Sequence, residues 1–238
     1  GAHRVMCGDS TSPTDVESLM AGEQADIVWT DPPYGVAYES AGRRGKANQH
    51  REIANDSIGG DDLTQFLRAS LGCALAATRP GAPWYVASPA SPAMLSFATV
   101  LAEFDVWRHS ITWVKDQMVF GRSDFHYKHE QIFYGWTPGA AHTWEGDRKQ
   151  VSVWEVPRPK RSDLHPTMKP VALIEMALML SSSKGAVVLD LFGGSGSTLI
   201  AAHTTGRQAR LMELDPTYVD VICRRYQELT GDKPVSEA

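Results

Sequence analysis

Asp190-Leu191-Phe192-Gly193-Gly194-Ser195-Gly196-Ser197-Thr198 follows an apolar run at 186–191 and precedes helical spacing over 197–205. The stretch therefore reads as strand, glycine turn and helix. Glycines let the backbone turn sharply and let a ligand approach the unpaired N–H groups that open a helix. Glu213 ends the next apolar run, at 209–214, where an acid receives ribose hydroxyls in nucleotide-binding α/β folds. A dinucleotide pattern GxGxxG begun at Gly194 needs glycine at position 199, where Leu199 stands, and the Gly-Lys-Ser/Thr ending of a phosphate loop is absent. These departures disfavour NAD and ATP and leave a nucleoside-type ligand without a pyrophosphate, with a plain turn as the bland alternative.

Far upstream, a buried-strand pattern at 25–30 runs into Asp31-Pro32-Pro33-Tyr34. Two prolines fix φ and remove two backbone donors, so the ladder cannot continue. One carboxylate, one carbonyl and one aromatic ring are thereby held in a fixed relation. A carboxylate and a carbonyl can accept both hydrogens of an amino group while a ring stacks on the base that bears it. Taken alone, a Pro-Pro turn ending a strand is the commoner explanation.

Between and around these runs, strand and helix patterns alternate. Strands are expected at 4–9, 84–88, 107–114 and 130–136, and helices at 14–20, 63–78, 93–103, 170–183 and 217–229, with Ser12 or Thr14 capping the first helix. Such alternation implies an α/β sheet, mostly parallel. Periodicity disappears over 35–60, a loop long enough to be functional, and again over 137–164. The latter carries one alternating piece, Val151-Ser152-Val153-Trp154-Glu155-Val156, and reads as a small insertion outside the main sheet. Residues 1–136 and 165–238 then form two halves of one domain.

The bulk properties exclude several classes. With 238 residues, 42% hydrophobic and 21% charged, the chain has the composition of an ordinary soluble globule, without a signal-peptide pattern or an apolar run of membrane-spanning length. Three scattered cysteines, Cys7, Cys73 and Cys223, make neither a disulfide scaffold nor a zinc site, and a cytoplasmic location fits. The eight histidines give no metal spacing; His129-Glu130 fails as HExxH because Phe133 occupies the last position. No metal is expected. The net charge of −5 argues against indiscriminate coating of nucleic acid, but Arg43, Arg44, Lys46 and Arg51 form one basic cluster and Arg148, Lys149, Arg158, Lys160 and Arg161 another. Solvated loops explain most such clusters; two loops gripping a phosphate backbone would look the same. Arg224-Arg225 reads as a solvated helix face, and Phe133-Tyr134 as either core or a wall of a base pocket. The start, Gly1-Ala2-His3, reads as a fragment boundary, so a further N-terminal domain is an expectation.

Together, Asp31-Pro32-Pro33-Tyr34, Phe192-Gly193-Gly194-Ser195-Gly196 and the intervening His165-Pro166-Thr167-Met168-Lys169-Pro170 resemble the S-adenosylmethionine-dependent DNA amino-methyltransferases. The order, catalytic run before cofactor loop, is similar to the permuted beta group. The resemblance implies a Rossmann-like, seven-stranded sheet with one antiparallel strand and helices on both faces. It implies a cofactor site of Asp9, Thr167, Lys169, Asp190, Phe192, Gly193, Gly194, Ser195, Gly196, Ser197, Thr198, Glu213 and Asp215. Within it, Asp9 meets the adenine amino group, Glu213 the ribose, and Thr167 and Lys169 the carboxylate of S-adenosylmethionine. Asp31, Pro32, Pro33 and Tyr34 become the catalytic elbow, and 137–164 the segment that reads double-stranded DNA through Arg148, Lys149, Arg158 and Arg161. Aspartate at the head of the elbow resembles adenine-N6 enzymes; cytosine-N4 is the alternative, with an RNA methyltransferase or a silent DNA-binding module further away. A homodimer is expected by the same resemblance.

Overall fold

The computed structural model describes residues 2–35, 60–119, 124–158 and 168–236. Strands and helices alternate along the chain: β1 (Arg4–Cys7), α1 (Pro13–Met20), β2 (Ile27–Thr30), α2 (Asp61–Ala76), β3 (Pro83–Ser88), α3 (Met94–Glu103), β4 (Trp107–Val119), β5 (Tyr127–Trp136), β6 (Val153–Glu155), α4 (Val171–Ser181), β7 (Val187–Asp190), α5 (Ser197–Thr204), β8 (Gln208–Glu213) and α6 (Pro216–Thr230). The helix boundaries follow local chemistry. Ser12 caps α1 by accepting the Asp15 amide, and Pro13 fills the first position, where no amide is needed. Asp215 caps α6 in the same way through the Thr217 amide, and Gly231 closes it with φ +80°.

The strands form one sheet in the order β1-β8-β7-β2-β3-β5-β4-β6. All pairings are parallel except those of β5, which runs antiparallel to both β3 and β4. The resemblance implies seven strands; the described residues form eight. The eighth is β6, from the segment read as lying outside the sheet. It pairs with β4 through Thr112–Val153, Trp113–Trp154 and Val114–Glu155. The Trp113 indole N–H also donates to the Val156 carbonyl at 2.8 Å, and Trp154 and Val156 are buried in the core. The alternation there buries an edge strand against a parent strand; it does not build a separate body.

Alternating side chains divide the core into two layers. Val28, Trp84, Val86 and Leu189 face α1, α2 and α3, where Val16, Leu67, Leu71, Phe97 and Val100 pack. Ile27, Trp29, Tyr85 and Val188 face the other way, toward Leu173, Ile174 and Leu178 of α4, Leu199 of α5 and Ile222 of α6. Among the described residues, three helices thus cover each face. The chain leaves β2 through α2 to reach β3 on one side, and leaves β7 through α5 to reach β8 on the other. The crevice between β2 and β7 is therefore a topological switch point, where ligands bind at the carboxyl ends of parallel strands.

Candidate active site

That crevice brings the two diagnostic runs together. β2 delivers Asp31 and β7 ends in Asp190, and the Thr30 hydroxyl donates to Asp190 Oδ1 at 3.0 Å across the junction. A cleft of about 340 Å³ opens above it. Its lining includes Asp31, Pro32, Pro33 and Tyr34 on one side and Asp190, Phe192, Gly193, Gly194, Ser195, Ser197 and Thr198 on the other. Asp9, Lys169, Glu213 and Asp215 line it as well, as does Arg158.

The glycine turn is built by several independent contacts. Asp190 accepts the Phe192 amide at 3.0 Å and the Thr198 hydroxyl at 2.6 Å. Burial pushes its carboxyl up to about 6, against the pull of Thr198, Phe192 and Thr30. Glu213 accepts the amides of Gly194 at 2.7 Å and Asp215 at 3.0 Å, which fixes its carboxylate at the end of β8. Burial raises Glu213 too, opposed by those amides. Gly194 takes φ +52° and Gly196 φ +84°, both left-handed. Gly196 is not among the lining residues; a Cβ there would meet Ile222 at 3.1 Å, so its role is to let α6 approach. Asp9 caps the turn after β1 by accepting the Thr11 amide and hydroxyl, each at 2.8 Å.

Arg225 corrects the reading of Arg224-Arg225 as a solvated face. Its guanidinium reaches back from α6 and donates to the Ser195 carbonyl and, at 3.1 Å, to the Ser195 hydroxyl. A single arginine on an amphipathic helix gives no local sign of a partner 30 residues earlier.

The elbow is surrounded by charge that its sequence does not announce. Lys169 donates to both oxygens of Asp31, at 2.8 and 2.7 Å, and to the Tyr34 hydroxyl at 3.0 Å. Its ammonium also lies 3.1 Å from Glu130 Oε2. The Tyr34 hydroxyl donates to that same oxygen at 2.8 Å, and Lys115 donates to Glu130 Oε1 at 2.5 Å. Burial opposes the charge on Lys169, but Asp31 and Glu130 outweigh it and raise the ammonium above the ordinary lysine range. Glu130 resists its burial because Lys169 and Lys115 hold it down to about 2. Asp31 shifts upward, since burial and the charge of Glu130 exceed the pull of Lys169. Burial and the two carboxylates keep Tyr34 well above its usual value, so the phenol remains a donor. The Tyr34 ring is further set by Phe97, edge-on at 6.1 Å.

The remaining candidates separate cleanly. Phe133 and Tyr134 are core residues in opposite layers and line no part of the cleft, whereas Tyr127 and His129 of the same strand do. Arg148 and Lys149 occupy an exposed turn away from the lining residues. Arg43, Arg44, Lys46, Arg51, Arg161 and Thr167 lie outside the described residues. Glu130 and Lys115 went unread because their significance depends on strand pairing; only the position of Glu130 opposite Trp113 in the β4–β5 hairpin could have suggested it.

S-adenosylmethionine can be tested against these residues. Gly194 offers backbone without a side chain at the cleft, and Glu213 presents a fixed carboxylate at the end of the adjacent strand. Two buried hydroxyls that line the cleft, Ser91 Oγ and Ser197 Oγ, have no partner among the described residues. Buried polar atoms of this kind call for a ligand or water. The set fits a nucleoside with a polar amino-acid tail.

The DNA methylase family, of the N6/N4 type, matches residues 25–224. Among curated relatives, Type II methyltransferase M2.DpnII of Streptococcus pneumoniae is 25% identical over 234 residues, 88% of this chain and 85% of the relative. Type II methyltransferase M2.MboI of Moraxella bovis is 31% identical over 107 residues, 43% of this chain and 39% of the relative. DNA adenine methyltransferase YhdJ of Escherichia coli (strain K12) is 36% identical over 78 residues, 31% of this chain. The last two matches thus span 39% and 26% of those relatives' lengths. Among solved structures, the M1.HpyAVI–SAM complex superposes with a TM-score of 0.67 at 18% identity, covering 93% of this chain and 98% of that one. PvuII DNA methyltransferase (cytosine-N4-specific) gives 0.69 at 15% identity, covering 98% and 88%. Both likenesses establish the fold.

Proposed function

Since the chain belongs to the N6/N4 DNA methylase family, we propose that it methylates the exocyclic N6 of adenine in double-stranded DNA, using S-adenosylmethionine. The observation that carries this reading is the single cleft lined by both Asp31–Tyr34 and the glycine turn. It lies at the switch point, where an amino group and a methyl donor can be held against each other. Among the described DNA-contact candidates, Arg158 is exposed and lines the cleft, which supports a DNA contact there.

An aromatic amino nitrogen is a poor nucleophile because its lone pair is delocalised into the ring. Asp31 and the Pro32 carbonyl accept the two amino hydrogens and turn the lone pair out of conjugation. Tyr34 supplies a flat surface for the base, which must leave the duplex to reach the cleft at a cost of a few kcal/mol. Bound S-adenosylmethionine supplies an electrophilic sulfonium methyl. Lys169 pairs with Asp31 before the base arrives and holds it as a carboxylate acceptor, and the surplus proton passes to water after transfer. Cytosine N4 presents the same pair of hydrogens; the aspartate that heads the elbow favours adenine. A homodimer in the cytoplasm is the assembly we propose, because the segment available to read DNA is short.

Genomic DNA from cells expressing the chain, sequenced with detection of modified bases, tests the reading. N6-methyladenine at one recurring motif is expected, and N4-methylcytosine would reassign the base. No mark, in a protein that binds S-adenosylmethionine by calorimetry, would leave a silent DNA-binding module. Asp31→Ala is expected to lower methylation by at least about a hundredfold while cofactor affinity is retained.

A further inference from the structure

Resting on the methyl-transfer reading, we propose that Glu130 is a positioning residue that provides a second seat for the Lys169 ammonium, so that withdrawal of Lys169 onto it frees Asp31 for the target amino group. An ammonium has three N–H donors. Four acceptor oxygens surround that of Lys169: two of Asp31, one of Tyr34 and one of Glu130, at 2.7 to 3.1 Å. They cannot all be served at once, so the ammonium is shared between two carboxylates.

The sharing is what the elbow needs. As it stands, one ammonium engages both oxygens of Asp31, the atoms proposed to receive an amino hydrogen. Lys169 side-chain exposure is only 9%. Moving its charge away from any carboxylate would leave a buried ion unpaired, which is strongly unfavourable. Glu130 removes that obstacle, because Oε2 already lies within reach. Its other oxygen is committed to Lys115, which stops Glu130 from turning aside. The Tyr34 hydroxyl is tied to the same Oε2, so the ring that faces the base is set by the group that receives the ammonium.

Charges facing Asp31 are Lys169 and Glu130, with Asp190 beyond Thr30; Arg158 stands near Lys115, and His129 lines the rim. Removing the charge of Glu130 takes away a like charge from Asp31, whose carboxyl then titrates at lower pH. Removing Lys169 has the opposite effect. Those two shifts follow from charge alone; the second seat is read in the rate of transfer, compared at a pH where Asp31 is ionised in both proteins, with S-adenosylmethionine affinity and thermal midpoint retained.

Carboxyl-carbon NMR titration of the free protein, and single-turnover transfer of tritiated methyl to unmethylated genomic DNA between pH 5 and pH 9, test the proposal. Glu130→Gln is expected to slow transfer roughly tenfold to a hundredfold, to leave S-adenosylmethionine affinity unchanged, and to move the acidic limb and the Asp31 titration to lower pH. Lys169→Met is expected to move both to higher pH. Should Glu130→Gln fold poorly, Glu130→Gln with Lys115→Met removes one charge of each sign and serves the same test. An active wild type whose Glu130→Gln variant keeps the wild-type rate at a pH where Asp31 is ionised in both overturns the positioning role alone, whether or not the titration moves. A wild type that moves no methyl to DNA overturns the functional reading instead.

Discussion

Asp190 accepts three hydrogen bonds at a place where only 2% of the residue is exposed. Its carboxyl is raised from 3.8 to about 6. A group raised on folding stabilises the fold in its protonated form, and that contribution is lost as the pH climbs from the unfolded value through the folded one. At about 1.4 kcal/mol per unit, the loss is of order 3 kcal/mol, complete above pH 6. Asp190→Asn escapes it. The difference in unfolding free energy between variant and wild type is therefore expected to shift in favour of the variant between pH 4 and pH 7, by up to about 3 kcal/mol in denaturant titrations. A difference independent of pH would show that Asp190 ionises freely. The motif around Lys169 was legible, and the resemblance set that residue beside the cofactor's carboxylate, but its ammonium lies on Asp31, 138 residues earlier. Ion pairs formed across a sheet leave no mark on local sequence.

Among the elements, the glycine turn was the most legible, because its requirements are local: a buried strand, positive φ and the open end of a helix. Its three glycines nevertheless do different work. A Cβ on Gly194 would meet nothing nearer than the Phe192 carbonyl at 3.9 Å, on a residue that lines the cleft. A Cβ on Gly196 would press on Ile222 at 3.1 Å in a strained φ of +84°. Gly194→Ala is thus expected to weaken S-adenosylmethionine binding with a stability loss of only about 1–2 kcal/mol. Gly196→Ala is expected to lower stability by roughly 1–3 kcal/mol, with binding weakened only through the displaced α6. Thermal melts with and without the ligand separate the two. Other elements were legible in type but not in partner. The alternation at 151–156 marks a strand but not its pairing with β4, because period-two patterning gives a strand's faces and not its neighbour. β4 and β5 run several residues beyond the expected ends, Val114 and Glu130, to Val119 and Tyr127. The β4 extension begins at Lys115, and it is what brings that residue to Glu130 at the cleft.

Across the whole molecule, the order of strands interleaves the two halves of the chain. β7 and β8, from the C-terminal half, lie between β1 and β2, from the N-terminal half. The C-terminal pair splits the N-terminal strands, so β1 reaches the rest of the sheet only through β8 and β7. A fragment of residues 1–158 is expected to lack a cooperative melt in circular dichroism, and to regain one, together with S-adenosylmethionine binding, on mixing with residues 159–238. A cooperative transition in the first fragment alone would mean that β2–β5 and their helices suffice as a folding unit. The parallel pairing of Arg4 with Arg210 sets the outer limit of this interleaving. For a chain made at roughly 5–20 residues per second, β1 waits some 10–40 s after leaving the ribosome for the strand it will pair with. Four residues of strand edge lack their β8 partner for that interval, so the earliest-made piece of the sheet is completed only when nearly the whole chain has been made.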